Sequence, residues 1–218
     1  MRKTDGLTTE LATFAERRSR SVYVARRFAP YFAQSVLDVG CYEAPLRELL
    51  SGARYVGVDI AGKPDIVVNL DTMAPLPFAD RSFQSVICIE VLEHLDNLHH
   101  VFGELARVSD AHVIVSLPNC WRDARRPVER GHGHFAHYGL PADAPVDRHK
   151  WFFSYVEARD FIVAQAGRHG LEIVEMFGTE QHRAPWVRAA RRIRYPGERY
   201  FNRYVQTIWA VMSKPALR

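Results

Sequence analysis

Apolar positions along this 218-residue chain fall into two periods. Short β-branched runs bounded by turn residues predict buried strands at the start of residues 35–50 and at residues 54–58, 65–68, 85–89, 112–117 and 171–177, with a last strand at 204–212. Helical spacing appears between them. Within residues 7–28, Leu7, Leu11 and Phe14, then Val22, Ala25 and Phe28, predict one or two amphipathic helices ending before Pro30. Phe161, Ile162 and Ala166 predict a helix packed on the sheet and capped by Ser154. Strands alternating with helices predict an α/β fold with a doubly wound, Rossmann-like sheet. Residues 120–150 break the pattern: they read as a long loop holding His132, His134, His137 and His149, and long loops in compact domains are usually functional or disordered.

Composition narrows the class. At 47% hydrophobic and 25% charged, the chain suits one soluble domain, 1–218. Its expected parts are a helical leader (1–30), a core (31–177), a basic aromatic insertion (178–203), and the last strand and tail (204–218). Cys41, Cys88 and Cys120 are odd in number and scattered, which suggests neither a disulfide framework nor a zinc site and fits a reducing compartment. No apolar run approaches the ~18 residues a membrane span needs, and no secretory signal opens the chain, so the expected location is cytoplasmic. The insertion adds a membrane-surface alternative. It holds seven arginines against Glu180 and Glu198, a net of +5 where the whole chain is +4. Trp186, Ala190 and Ile193 share one helical face, and Arg188, Arg191 and Arg192 another. Such a segment suits anionic lipid, a phosphate-bearing glycan carrier or nucleic acid, or else a solvated arm packing its aromatics on the domain.

Two stretches carry candidate chemistry. In SVLDVGCYEAPLRELL a strand runs into a glycine turn and then a helix, placing Asp38, Gly40 and Tyr42 where a ligand lies across the strand edge. About twenty residues on, Asp59 ends the next strand, the spacing at which an acid accepts hydrogen bonds from both ribose hydroxyls, and Asp71 after the third strand is placed to meet an adenine amino group. The second stretch, IEVLEHL, sets Glu90 at a strand end, with Glu93 and His94 expected on one side of the first helical turn. These three are candidate metal ligands; the plain alternative is an ordinary helix start with a packed histidine.

VLDVG, YVGVDI, LPFADRSFQSVICIEVLEHL and VIVSLPN, in that order, resemble the class I S-adenosylmethionine-dependent methyltransferases over residues 35–177. The resemblance implies a seven-stranded sheet with its last strand antiparallel, and S-adenosyl-L-methionine held by Asp38, Gly40, Tyr42, Asp59 and Asp71. Tyr42 and Ala44 depart from it, since the family's turn has two further glycines in those places. ExxEH at Glu90, Glu93 and His94, followed by SLPN and RHKWFFS, resembles the small-RNA 3′-terminal ribose 2′-O-methyltransferases and the ubiquinone-biosynthesis O-methyltransferases. That likeness implies a divalent ion, Mg²⁺ or Mn²⁺ with Fe²⁺ and Zn²⁺ admissible, on Glu90, Glu93, His94 and His149. Glu90, His94 and His149 then have catalytic roles, with a histidine serving as general base if no ion binds. The expected activity is O-methylation of a small-molecule or glycan acceptor, at a hydroxyl of a sugar or other vicinal diol. An RNA ribose hydroxyl comes second, a small aromatic third, and a non-catalytic binding protein with a degenerate donor site is the alternative from another class.

Overall fold

The strand signals become one eight-stranded sheet in the computed structural model, which describes residues 5–14, 16–135, 137–145 and 147–215. Residues 1–4 of the expected leader and 216–218 of the tail lie outside the described residues. The elements are β1 (Thr9–Leu11), α1 (Arg17–Arg27), β2 (Ser35–Val39), α2 (Leu46–Leu49), β3 (Arg54–Asp59), β4 (Ile66–Val67), β5 (Phe83–Ile89), α3 (Leu98–Val108), β6 (Ser109–Pro118), α4 (Cys120–Arg130), α5 (Tyr155–Arg168), β7 (Glu172–Glu180), α6 (Pro185–Arg194), α7 (Glu198–Tyr204) and β8 (Thr207–Ser213). The strand order is β1-β7-β8-β6-β5-β2-β3-β4. Only β8 runs antiparallel to its neighbours, inserted between β6 and β7.

Strict alternation along the strands builds two cores. Leu37, Val39, Val86, Cys88, Val113, Val115, Ile208 and Ala210 face α3 and α5, whereas Val36, Ile87, Ile114, Trp209 and Val211 face Val24 of α1, Phe28 just after it, and Leu46 of α2. Strands buried on both faces read as continuous apolar runs, which is why SVICI and HVIVSL carry so clear a signal. The helix at α5 begins as expected: Ser154 accepts from the Glu157 amide and Glu157 reaches back to the Ser154 amide.

Several expectations are corrected. The sheet has eight strands, not seven, because residues 9–11 pair with the end of β7 (Thr9 opposite Gly178) instead of starting a helix. The Leu7/Leu11 spacing fits a helix, but an open edge offered backbone partners that spacing cannot reveal. The supposed loop after residue 120 opens with α4, capped by the Asn119 side chain on the Arg122 amide and closed by Gly131 at φ 69°. Its exposed face is arginine-rich, so the apolar period was too sparse to read. The insertion folds as α6 and α7, beginning after Glu180 rather than at 178, and the last strand starts at Thr207 rather than 204.

β6 and β7 run parallel to β2, β3 and β5, so α4, α6 and α7 all follow or precede strands at the carboxyl edge of the sheet. Asn119 locks this cover: its buried side-chain amide donates to the carbonyls of Phe201, Asn202 and Val205.

Candidate functional site

A cleft of about 530 Å³ opens at the carboxyl ends of β2, β3 and β5. Gly40, Tyr42, Asp59, Asp71, Glu90 and His94 all line it, so the two candidate stretches face one space. Gly40 is required there: its φ is +83°, and a Cβ would stand 2.3 Å from a Val91 methyl. Tyr42 and Ala44 take φ of 48° and 49°, the left-handed conformation that glycine favours. The turn therefore keeps a glycine-like path at a cost of roughly 1–2 kcal/mol per residue. The Tyr42 ring does not plug the cleft. It lies half exposed at the rim under the Arg17 guanidinium, 4.7 Å from the ring centre, and its amide donates to Asp59 Oδ2 at 2.8 Å.

Asp59 also accepts from the amides of Ile60 (2.7 Å) and Ala61 (3.2 Å), which hold its carboxylate in place. Asp38 is placed differently from the expectation. It is buried under the turn, lines a separate cavity of about 40 Å³, and accepts from the Tyr55 hydroxyl at 2.7 Å. Burial, partly offset by that hydrogen bond, pushes its carboxyl up to about 6. Asp71 lines the cleft but is already engaged, by Lys150 Nζ at 2.7 Å and by the Asp96 amide.

The IEVLEHL stretch turns out of the sheet through Glu90 at φ 52° and makes a single 3₁₀ turn, Leu92–His94, instead of the start of an α-helix. That conformation changes the ligand set. Glu90 points toward α1, where it pairs with Arg20 and accepts from Thr207 Oγ1 at 2.9 Å. Glu93, His94 and His149 come together instead, each with one ligand atom within 4.8 Å of the others'. The structure thus unites three of the four expected ligands and separates Glu90 from them.

Glu93 is 1% exposed, and neither carboxylate oxygen has a hydrogen-bond partner among the described residues. Burial pushes its carboxyl up to about 8. The two imidazoles are oriented from behind. His94 Nδ1 lies 2.6 Å from Asp147 Oδ1, close enough for an ion pair but not aligned for a hydrogen bond, and Nε2 stands 3.9 Å from Glu93 Oε1. His149 Nδ1 lies 2.7 Å from the Tyr138 hydroxyl, whose single proton goes to the Trp151 carbonyl at 2.8 Å. With that proton so used, the tyrosine oxygen accepts from His149 Nδ1, which leaves the Nε2 of His149 without a proton. Burial, then the neighbouring His94 and His137 rings, pulls His149 down to about 3, so the imidazole is neutral. His137 itself stacks on His149 at 4.3 Å.

One segment closes both halves of the cleft. Asp147, Arg148 and Lys150 line the same cleft as Asp59, His149 joins Glu93, and Lys150 donates its amide to the Glu93 carbonyl at 2.9 Å. Sequence reasoning singled out His149 but missed Asp147, Lys150 and Tyr138. A signal was there: an aspartate and a lysine flank the histidine in DRHKW, an unusual charge density for a segment with no helical face to solvate. Arg20, the partner of Glu90, carried no signal beyond its place among the leader's arginines.

The fold and the family agree. A small-RNA methyltransferase, HEN1, superimposes with a TM-score of 0.61 at 17% identity over 96% of this chain and 27% of its own length. A SAM-dependent methyltransferase from Archaeoglobus fulgidus gives 0.60 at 18% identity, covering 92% of this chain and 96% of that one. Magnesium protoporphyrin IX methyltransferase from Synechocystis, solved with bound SAH, gives 0.54 at 16%, covering 94% and 90%. At these identities the likeness is one of fold. No curated protein matches the sequence. A family profile described as a methyltransferase domain matches residues 5–176. With the glycine turn, Asp59 and the open cleft lying inside that span, the chain belongs to the methyltransferase-domain family, whose expected methyl donor is S-adenosylmethionine.

Proposed function

We propose that this chain methylates a hydroxyl of a sugar or another vicinal diol, with a divalent ion on Glu93, His94 and His149. The observation that carries the reading is Glu93: a fully buried carboxyl group with two unpartnered oxygens, which shares a cluster with the imidazoles of His94 and His149, one potential ligand atom of each lying within 4.8 Å of the others'. A buried polar atom without a partner costs about 1–3 kcal/mol, more for a charged one, and such sites call for an ion or a specific role. Two imidazoles and a carboxylate fit a divalent transition metal, and place Mn²⁺ ahead of Mg²⁺, which prefers an all-oxygen shell.

A divalent ion there would supply the positive charge that favours loss of a proton from an adjacent hydroxyl, whose own pKa lies far above neutrality. The remaining tasks belong to the chain. Gly40 and Asp59 present the donor side, with Asp59 prealigned by three amides. Tyr138 orients His149 through its Nδ1, Asp147 stands beside His94, and Asp147, Arg148 and Lys150 line the cleft. Three protein ligands leave open positions enough for two adjacent hydroxyls, which is what favours a diol.

The test uses the full chain, labelled S-adenosylmethionine and Mn²⁺ with methyl glycosides, their deoxy analogues lacking one hydroxyl of the diol, and an oligoribonucleotide. Label should enter the diol-bearing sugars, be lost with a chelator and return with Mn²⁺. Undiminished transfer after exhaustive chelation would overturn the ion's role. Transfer to the oligoribonucleotide alone would overturn the acceptor.

A further inference from the structure

Beside the proposed acceptor end of the cleft, α4, α6, α7 and the end of β7 surround a further, polar cavity of about 240 Å³. Six arginines line it: Arg122, Arg125, Arg126, Arg183, Arg191 and Arg203. Against them stand Asp123 and Glu180, and Glu180 is already taken, 2% exposed and bound by Arg188 and the Tyr200 hydroxyl. Arg125 and Arg203 share the one Glu129 carboxylate, and the Nε of each is a buried donor with no partner among the described residues. Arg126 and Arg183 meet no carboxylate among the described residues. Six guanidiniums held around one small space repel one another, and an arrangement of this kind is stabilised by an anion that accepts several of their forked donors at once.

The cavity's position assigns the anion to the acceptor. The first residue of α4, Cys120, touches the Tyr138 hydroxyl (2.6 Å) that holds His149, and Arg126 lies six residues further along the same helix, about 9 Å at 1.5 Å per residue. That is comparable with the length of a sugar and the phosphates attached to it. The volume admits one or two phosphates, not the track that a nucleic-acid strand needs. On the far side of Arg125 and Arg203 lies a wider groove of about 550 Å³ with Trp121, Val128, Phe152 and Tyr195 on its walls, an apolar space next to the anion site.

We propose that the acceptor is a phosphorylated sugar: its hydroxyl lies at Glu93, His94 and His149, its phosphate or diphosphate in the arginine cavity, and the group beyond the phosphate along the aromatic groove. The anion site stands on its own geometry, and its link to methylation rests on the sugar-hydroxyl reading above.

The two halves are tested separately. Calorimetric titration of the full chain with inorganic pyrophosphate and inorganic phosphate should show binding, pyrophosphate the tighter. The exposed Arg126→Gln and Arg183→Gln variants should each weaken it at least tenfold while leaving S-adenosylhomocysteine affinity unchanged. Absent binding at 10 mM, or binding indifferent to both substitutions, would overturn the anion site even if the chain proves a sugar methyltransferase. Transfer is then compared between a free sugar, its 1-phosphate, a nucleoside diphosphate sugar and a polyprenyl diphosphate sugar in detergent. Preference for any phosphorylated form, lost in both variants, supports the proposal, and the last two substrates identify what occupies the aromatic groove. Equal rates with the free sugar, or use of oligoribonucleotides in preference to all four, would overturn it.

Discussion

On the proposed donor side of the cleft, Gly40, Tyr42, Asp59 and Asp71 come from one short stretch, 40–71, in which each strand ends and the backbone turns over the sheet edge. On the proposed acceptor side, Glu93 and His149 stand 56 residues apart in the sequence and meet because the 147–151 segment hydrogen-bonds back to the Glu93 and Leu95 carbonyls. The donor side is held by backbone amides on Asp59, the acceptor side by side chains stacked two deep, His149 on Tyr138 and His94 on Asp147. A site built from adjacent turns is preorganised by the sheet itself. A site closed by a returning segment has its geometry set by long-range contacts, which can change without disturbing the first.

The sharpest way to break that contrast is His149→Ala. It should lower methyl transfer to a hydroxyl by about a thousandfold or more in single-turnover measurements while S-adenosylhomocysteine affinity stays within about twofold, and chelation of the wild type should match it. A parallel loss of donor affinity would show the two sides to be one unit.

Next in size is a stability effect beneath the donor turn. The Asp38 carboxyl is raised to about 6 in the folded chain, chiefly by burial, from an ordinary value of 3.8. A carboxyl raised on folding contributes stability that is fully present below its unfolded value and lost as pH rises through the folded one. Ionisation of Asp38 between pH 4 and 7 should therefore cost about 3 kcal/mol. Asp38→Asn, which can still accept from Tyr55, should gain by that amount relative to the wild type over the same interval, as read by urea denaturation at each pH. A pH-independent difference would remove Asp38 as the cause.

Asp59→Ala sharpens the donor side. It leaves three amides without their acceptor and should weaken S-adenosylhomocysteine binding by about 10- to 100-fold, in line with 1.5–3 kcal/mol for charged hydrogen bonds. The smallest expected effect lies where the two sides touch. Lys150→Met frees Asp71 to meet an adenine amino group, and because half-exposed ion pairs contribute about 0–1 kcal/mol, donor affinity should tighten by no more than about fivefold in the same titration.

Much of the donor side was legible because its chemistry follows from local chain geometry: a β-branched strand, a glycine whose φ must be positive, and an acid at the end of the next strand. Even there, the sequence could not show that Tyr42 would swing to the rim beneath Arg17, or that Lys150 would reach Asp71 across 79 positions. The arginines of α4 and those after β7 looked like one basic segment and an irregular loop. Only the packing of α4 against α7, locked by Asn119, turned them into the walls of a cavity.

Taken alone, the sequence determined the alternating parallel strands, the two-faced core and the cap of α5, since these depend on side-chain period and on contacts within a few residues. Tertiary structure decided the eighth strand, the departure of Glu90 to Arg20 and the convergence of Glu93, His94 and His149. Those features depend on which distant backbone edge is open, on one residue's left-handed φ, and on a loop folding back over the sheet. A one-dimensional pattern encodes spacing along the chain, and each of these is a distance across it.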